Sequence, residues 1–290
     1  MSTLVIRFSS VGDIVLAGAV TRALAPVRFL TLERYAELAA LLPGVTEVRT
    51  WETWGRSALD DTAVAIDLHA SPRSRWATLG ARATVRRIQR HDLHRRARVH
   101  FKTRPAPSVM KRYAAAANTR LDASPWHGTS SGDGLVLIPG AAHPTKQWPL
   151  SHFIDIARRW RGPISAVGGP SDKPAIDDLM AAVPRLEGLS ETGFTRTFDV
   201  LRSRSIALGG DTGLMHLAAA AGLHTVPIFG PTHSRDGFWT HHTTPPVELD
   251  LACRPCSRHG GNVCPIGDHR CMIGLSPDRV WTELKGGIHA

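Results

Sequence analysis

The stretch Gly210-Asp211-Thr212-Gly213-Leu214-Met215-His216-Leu217-Ala218-Ala219-Ala220-Ala221-Gly222-Leu223-His224-Thr225-Val226-Pro227-Ile228-Phe229-Gly230 decides how the chain is read. Before it, Ser205-Ile206-Ala207-Leu208 is a short apolar run expected as a buried strand, which Gly209-Gly210 ends. Asp211 or Thr212 then stands where a helix N-cap belongs, and Leu214, Leu217 and Ala218 recur at helical spacing. Gly222 closes that helix, and Thr225-Val226-Pro227-Ile228-Phe229 resumes a strand. This is one strand, helix and strand unit of a parallel sheet. The open N–H groups and positive dipole end of such a helix suit a phosphate or diphosphate. Simple capping by Asp211 and Thr212 is the competing reading.

The same alternation runs outward in both directions. Strands are expected at Thr3–Phe8, Val27–Thr31, Glu47–Thr50, Ala63–Asp67 and Thr84–Ile88, with helices at Gly12–Leu24, Glu33–Leu42, Pro72–Leu79 and Ser108–Asn118. Ser124 to Gly134, rich in Gly and Ser, reads as an interdomain linker. Beyond it, strands are expected at Leu135–Pro139, Ile164–Val167, near Leu189, Ser205–Leu208 and Thr225–Phe229. Helices at Leu150–Trp160, Lys173–Ala182, Phe198–Arg202 and Leu214–Ala221 lie between them. The fold class is therefore α/β, with two Rossmann-like domains. The expected boundaries are 1–127, 128–275 and a final helix over 276–290 that packs back toward the first domain.

With 290 residues, 42% of them hydrophobic, the chain can bury two cores. No apolar run approaches the roughly 20 residues of a membrane span. The strand expected at Leu4 to Phe8 leaves no room for a signal peptide, so a cytoplasmic location is expected. The net charge of +10 asks for an acidic partner. Much of it is concentrated in Arg82, Arg86, Arg87, Arg90, Arg95, Arg96, Arg98, Lys102 and Arg104, opposed within that run by Asp92 alone. A nucleic acid is the first partner such charge suggests, but Phe101 is the only aromatic in the run to stack on bases. No nucleic acid is therefore expected. An anionic glycolipid or the inner face of the cytoplasmic membrane suits the same charge, and Arg95, Arg96 and Arg98 are expected to bind that partner.

Asp211-Thr212-Gly213-Leu214-Met215-His216-Leu217-Ala218-Ala219-Ala220 resembles the donor-site motif of glycosyltransferase family 9, the ADP-heptose:lipopolysaccharide heptosyltransferases. Leu4-Val5-Ile6-Arg7-Phe8-Ser9-Ser10-Val11-Gly12-Asp13-Ile14-Val15-Leu16 resembles the family's opening strand and acceptor-side loop. Ile138-Pro139-Gly140-Ala141-Ala142-His143-Pro144-Thr145-Lys146-Gln147-Trp148-Pro149 is similar to its Pro-Gly…Lys-x-Trp-Pro element, and Ser276-Pro277-Asp278-Arg279-Val280 to the start of its last helix. The resemblance implies the GT-B fold, two Rossmann-like domains facing a central cleft. It also implies inverting transfer of a heptose from an ADP-heptose donor to an inner-core lipopolysaccharide sugar. Another nucleotide-sugar donor or acceptor on the same fold is the alternative.

Such a transfer needs a base for the acceptor hydroxyl and positive charge or N–H groups for the departing diphosphate. Asp13 follows a flexible turn at the carboxyl end of the first strand, where α/β sheets place ligands. It is the candidate base by resemblance, and a helix-dipole residue by its position alone. Ser10 and Gly12 are assigned to the acceptor on the same resemblance. Lysine suits a phosphate as a point charge, and the resemblance carries Lys146 and Thr145 to the donor diphosphate. Asp172, with Ser171 as the alternative, can accept from a ribose after the glycines that end a strand. Asp211, Thr212, Gly213, Leu214 and His216 complete the donor site by resemblance, while a core histidine is the other reading of His216.

No Asp-x-Asp pair stands out, so catalysis without a metal cofactor is expected. Cys253, Cys256, Cys264 and Cys271 are all the cysteines of the chain. In a cytoplasmic chain they read either as plain thiols or as a structural zinc site.

Overall fold

The apolar strands line up as two separate parallel sheets in a computed structural model that describes residues 2–122, 124, 126–236 and 245–288. The first sheet holds β1 (Thr3–Ile6), β2 (Val27–Thr31), β3 (Val45–Thr50), β4 (Val64–Asp67) and β5 (Thr84–Arg87) in the order β3-β2-β1-β4-β5. The second holds β6 (Leu135–Ile138), β7 (Ile164–Val167), β8 (Glu187–Leu189), β9 (Ile206–Gly210), β10 (His224–Phe229) and β11 (Val247–Glu248) in the order β11-β10-β9-β6-β7-β8. Both follow the Rossmann pattern, in which the chain adds strands on one side of the first and then crosses to the other.

The sequence explains why these strands sit centrally. Leu135-Val136-Leu137-Ile138 and Ile164-Ser165-Ala166-Val167 are buried at every position, as expected for parallel strands covered on both faces. Register follows: Val5 stands between Phe29 and Ile66, and Leu137 between Ala166 and Leu208.

In chain order the helices are α1 (Val11–Ala23), α2 (Ala36–Ala40), α3 (Trp51–Trp54), α4 (Pro72–Ala77), α5 (Asp92–Phe101), α6 (Val109–Ala117), α7 (Leu150–Arg159), α8 (Lys173–Ala182), α9 (Gly193–Arg202), α10 (Gly213–Ala220), α11 (Arg270–Ile273) and α12 (Pro277–Ile288). Helix α10 stops where Gly222 takes a φ of +93°, letting the Leu223 N–H reach back to the Ala218 oxygen at 3.1 Å.

The chain divides into two compact units, 1–91 with 107–126, and 92–106 with 127–290. The first buries Leu4, Ile6, Phe8 and Leu30 together. The second has a larger core, including Leu137, Phe153, Ile156, Leu208 and Val226. Two features differ from the sequence expectation. Residues 92–106, read as part of the first domain, belong with the second unit because the side chains of Arg98 and Lys102 are bound there. The final helix, expected to return toward the first domain, places Val280 and Leu284 in the second unit's core. Among the described residues, no helix is long and apolar enough to cross a membrane.

Candidate functional site

Each sheet has a switch point, between β6 and β9 in the second unit and between β1 and β4 in the first. Ligands of open α/β sheets bind outside the carboxyl ends of the strands at such points. The loops leaving these strands carry the residues singled out by sequence.

In the second unit, the loop after β6 brings Lys146 to the residue that follows β9. Its Nζ lies 2.5 Å from Asp211 Oδ2 and donates to the Asp211 backbone oxygen at 2.7 Å. Thr232, past the end of β10, donates to the same carboxylate oxygen at 2.9 Å. Burial works to raise the Asp211 pKa, but the Lys146 charge, His216 and the Thr232 hydroxyl outweigh it and hold the group below the usual carboxylate range. Asp211 is therefore an anion whose charge Lys146 offsets. An ammonium has three donors, and two of Lys146's go to Asp211.

The start of α10 stands next to this pair. Thr212 is its N-cap in extended conformation, and the Thr212 side chain makes no capping bond. Its Oγ1 is buried without a partner among the described residues. The first amides of the helix have no intrahelical acceptor. Gly210 permits the close approach of the two loops, since a Cβ there would stand 2.7 Å from the Lys146 carbonyl oxygen. The result is a cation beside open N–H donors, a geometry for a diphosphate.

In the first unit, Asp13 sits in the first turn of α1. Arg7 Nη2 lies 2.6 Å from its Oδ2, and the Ser10 hydroxyl donates to the same oxygen at 2.9 Å. The Ser10 N–H completes a capping contact at 3.3 Å. Burial works to raise the Asp13 pKa, while Arg7 and then the Ser10 bonds prevail and lower it. Arg7 is itself fixed by the carbonyls of Ser9 and Leu68. His69 follows β4, with its ring edge-on to Phe8, and burial and then the Arg7 charge lower its pKa to about 4. Gly12 is buried behind the loop, and Tyr113 on α6 donates to the Asp13 carbonyl at 3.2 Å.

The other expected residues have more local roles. The Thr145 hydroxyl is exchanged with Gly261, accepting from its N–H at 2.8 Å and donating to its oxygen at 2.9 Å. Asp172 caps its own turn by accepting from the Gly169 N–H at 2.8 Å, and its carboxyl packs against Gly140 where no side chain would fit. Gly213 and Leu214 open α10, and His216 is buried on the same helix near Asp211. Arg98 pairs with Asp236 at 3.0 Å, while Arg96 is exposed. Cys256, Cys264 and Cys271 line a cavity of about 230 Å³ with Thr145 and His269. Among the described residues, no three His, Cys, Asp or Glu side chains are grouped to hold a metal ion. The cysteine loop also backs the Lys146 turn: a Cβ at Gly260 would meet His143 at 2.7 Å and Lys146 at 3.0 Å.

The model of glycosyltransferase family 9 (heptosyltransferase) matches residues 82–261, which include Lys146 and the whole 210–230 stretch. The chain belongs to this family. Lipooligosaccharide heptosyltransferase 2 of Campylobacter jejuni is 40% identical over 161 residues, covering 52% of this chain and 50% of the relative. Lipopolysaccharide heptosyltransferase 1 of Pseudomonas aeruginosa is 27% identical over 203 residues, covering 64% and 55%. The chain thus matches about half the length of these curated relatives. In fold it is similar to Escherichia coli ADP-heptose lps heptosyltransferase II, with a TM-score of 0.75 at 20% identity over 100% of this chain and 99% of the other. Escherichia coli heptosyltransferase WaaC with ADP gives 0.69 at 17% identity, over 99% and 100%. Two Rossmann-like α/β units of the GT-B type are therefore the fold of this family 9 glycosyltransferase.

Sequence reading missed three residues of the site. Arg7 lay inside the quoted motif without a role, although a charge at the carboxyl end of an apolar strand is a usable signal. Thr232 and His69 follow strands β10 and β4 by two or three residues, positions that α/β sheets reserve for ligand loops.

Proposed function

We propose that this chain transfers a heptose from an ADP-linked donor to an inner-core sugar of lipopolysaccharide, with inversion at the anomeric carbon. The observation that carries this reading is the Lys146 ammonium set beside the open N-terminus of α10. There the third Lys146 donor, the Thr212 hydroxyl and the first amides of α10 receive the diphosphate. They stabilise its added charge as the bond to the anomeric carbon breaks. Asp13, ionised under all working conditions, accepts the acceptor's proton as its oxygen bonds to that carbon, and ADP leaves. Arg7 and Ser10 hold one Asp13 oxygen, which orients the other. No step needs a metal in this scheme, because Lys146 and the helix end supply the positive field.

The acceptor fits as an anionic glycolipid, in keeping with the +10 charge, and the site of action as the cytoplasmic side of the inner membrane. Mass spectrometry of reactions with a panel of ADP- and UDP-sugars and an inner-core acceptor tests the proposal. Heptose addition with release of ADP is expected. Transfer from a UDP-sugar with ADP-heptose left intact would overturn it.

A further inference from the structure

Helix α5 is turned inside out. An amphipathic helix normally directs its apolar stripe at the core, yet no residue of α5 is buried. Leu93 is 81% exposed and Phe101 78%. With Ala97 they recur at i, i+4 and i+8, a single stripe about 12 Å long. The opposite side carries the attachments. Asp92 pairs with Arg258 at 3.7 Å and Arg98 with Asp236 at 3.0 Å. Just past the helix, Lys102 donates to the carbonyls of Cys253 at 3.0 Å and Pro255 at 2.6 Å. Polar contacts therefore fix the helix with its apolar stripe toward solvent.

The exposed stripe is flanked by charge of one sign. Arg96 is exposed beside it, and Arg104 follows. Between Arg90 and Arg104 there are six Lys or Arg and one Asp. A second copy of the same face would set like charges against each other. A nucleic acid would leave the Leu93 stripe without use. An anionic bilayer satisfies both halves of the pattern, its headgroup boundary taking Leu93 and Phe101 and its phosphates taking Arg96 and Arg104.

We propose that the outward face of α5 docks this protein on the surface of an anionic lipid bilayer. The contact is interfacial, with no spanning segment, and reversible, since one short stripe and a few charges give weak binding. It rests on the proposed function only for its purpose, bringing the enzyme to a lipid-anchored acceptor.

Flotation of the full chain with vesicles tests it. The protein is expected to float with phosphatidylethanolamine–phosphatidylglycerol vesicles, to ignore pure phosphatidylcholine, and to be released as salt is raised. The variant Leu93→Asp/Phe101→Asp is expected to lose about tenfold in vesicle binding. Its ADP affinity and melting temperature are expected to match the parent, and Leu93→Ser/Phe101→Ser serves if the first variant melts early. Native protein that does not float, or a folded variant that floats as well as the parent, overturns the proposal. So does a variant whose only change is a lost dimer in sedimentation, which would assign the face to a second copy. ADP calorimetry on the same samples reports on the donor site separately, so failure of one reading does not hide in the other.

Discussion

The ammonium of Lys146 meets Asp211 twice, at its carboxylate (2.5 Å) and at its backbone oxygen (2.7 Å). This contact joins the loop after β6 to the loop after β9, the two strands that border the second sheet's switch point. It has two consequences. It keeps a buried carboxylate ionised, and it aims a lysine at the start of α10.

Because both partners are largely buried, removing one leaves an unpaired charge. Lys146→Met is expected to cost about 3 kcal/mol in urea unfolding, the scale for breaking a buried pair. Adding Asp211→Asn should return part of that stability, since the uncompensated anion is gone. A double variant no more stable than Lys146→Met would mean the pair is not coupled.

Gly210 tests the close approach. Its Cβ would fall 2.7 Å from the Lys146 oxygen, and backbone cannot swing aside as a side chain can. Gly210→Ala is expected to cost about 1–3 kcal/mol in stability and to lower ADP affinity about tenfold by displacing the Lys146 loop. Calorimetry showing parental affinity would argue that the loop contact does not shape the site.

Much of this arrangement was legible beforehand. Apolar runs such as Leu135–Ile138 and Ile206–Leu208, punctuated by Gly or Pro, announced buried parallel strands within a residue or two of where they occur. Lys146 and Asp211 were visible as chemistry but not as a pair, because 65 residues separate them and only the sheet order β9-β6 brings them together. Helix α5 was read as a charge run alone. Its apolar positions Leu93, Ala97, Val99 and Phe101 are too few to signal a helix, and its attachment depends on distant backbone carbonyls that carry no sequence signature. Thr145 was assigned to the donor by resemblance; its hydroxyl bonds to Gly261, a contact 116 residues away that no local pattern shows.

Arg7 sets the basicity of Asp13. Burial by itself would raise the Asp13 pKa, and the guanidinium at 2.6 Å overrides it. In the proposed reaction, with Asp13 as the base, the acid limb of kcat/KM should lie below the ordinary carboxylate value. Arg7→Gln is expected to move that limb upward, with burial then dominating. A pH profile that stays put would separate Asp13 from the rate.

Acid stability should fall in two windows. Burial, and for His69 the Arg7 charge as well, lowers the pKa of His69 to about 4, and burial lowers those of His152, His224 and His233. As pH drops below about 6.5 the unfolded chain takes up protons that the folded protein refuses, so stability declines toward pH 4. Asp13 and Asp211, with lowered pKa values, give up their contribution only at more acidic pH. His69→Phe keeps an apolar ring against Phe8 and should reduce the loss in melting temperature between pH 6.5 and 4 by about 2–4 °C. An unchanged slope would mean that His69 protonates freely in the folded state.

The most direct test of the account measures donor binding and heptose transfer on the same preparations of parent, Asp13→Asn and Lys146→Met. Asn keeps the shape of Asp but cannot take a proton. Asp13→Asn is therefore expected to bind ADP-heptose as the parent does and to lose about 10²–10⁴ in kcat. Lys146→Met, held below its melting temperature, is expected to bind the donor poorly. The reverse pattern, an Asp13→Asn enzyme that turns over normally and a Lys146→Met enzyme that binds the donor as tightly as the parent, would contradict it.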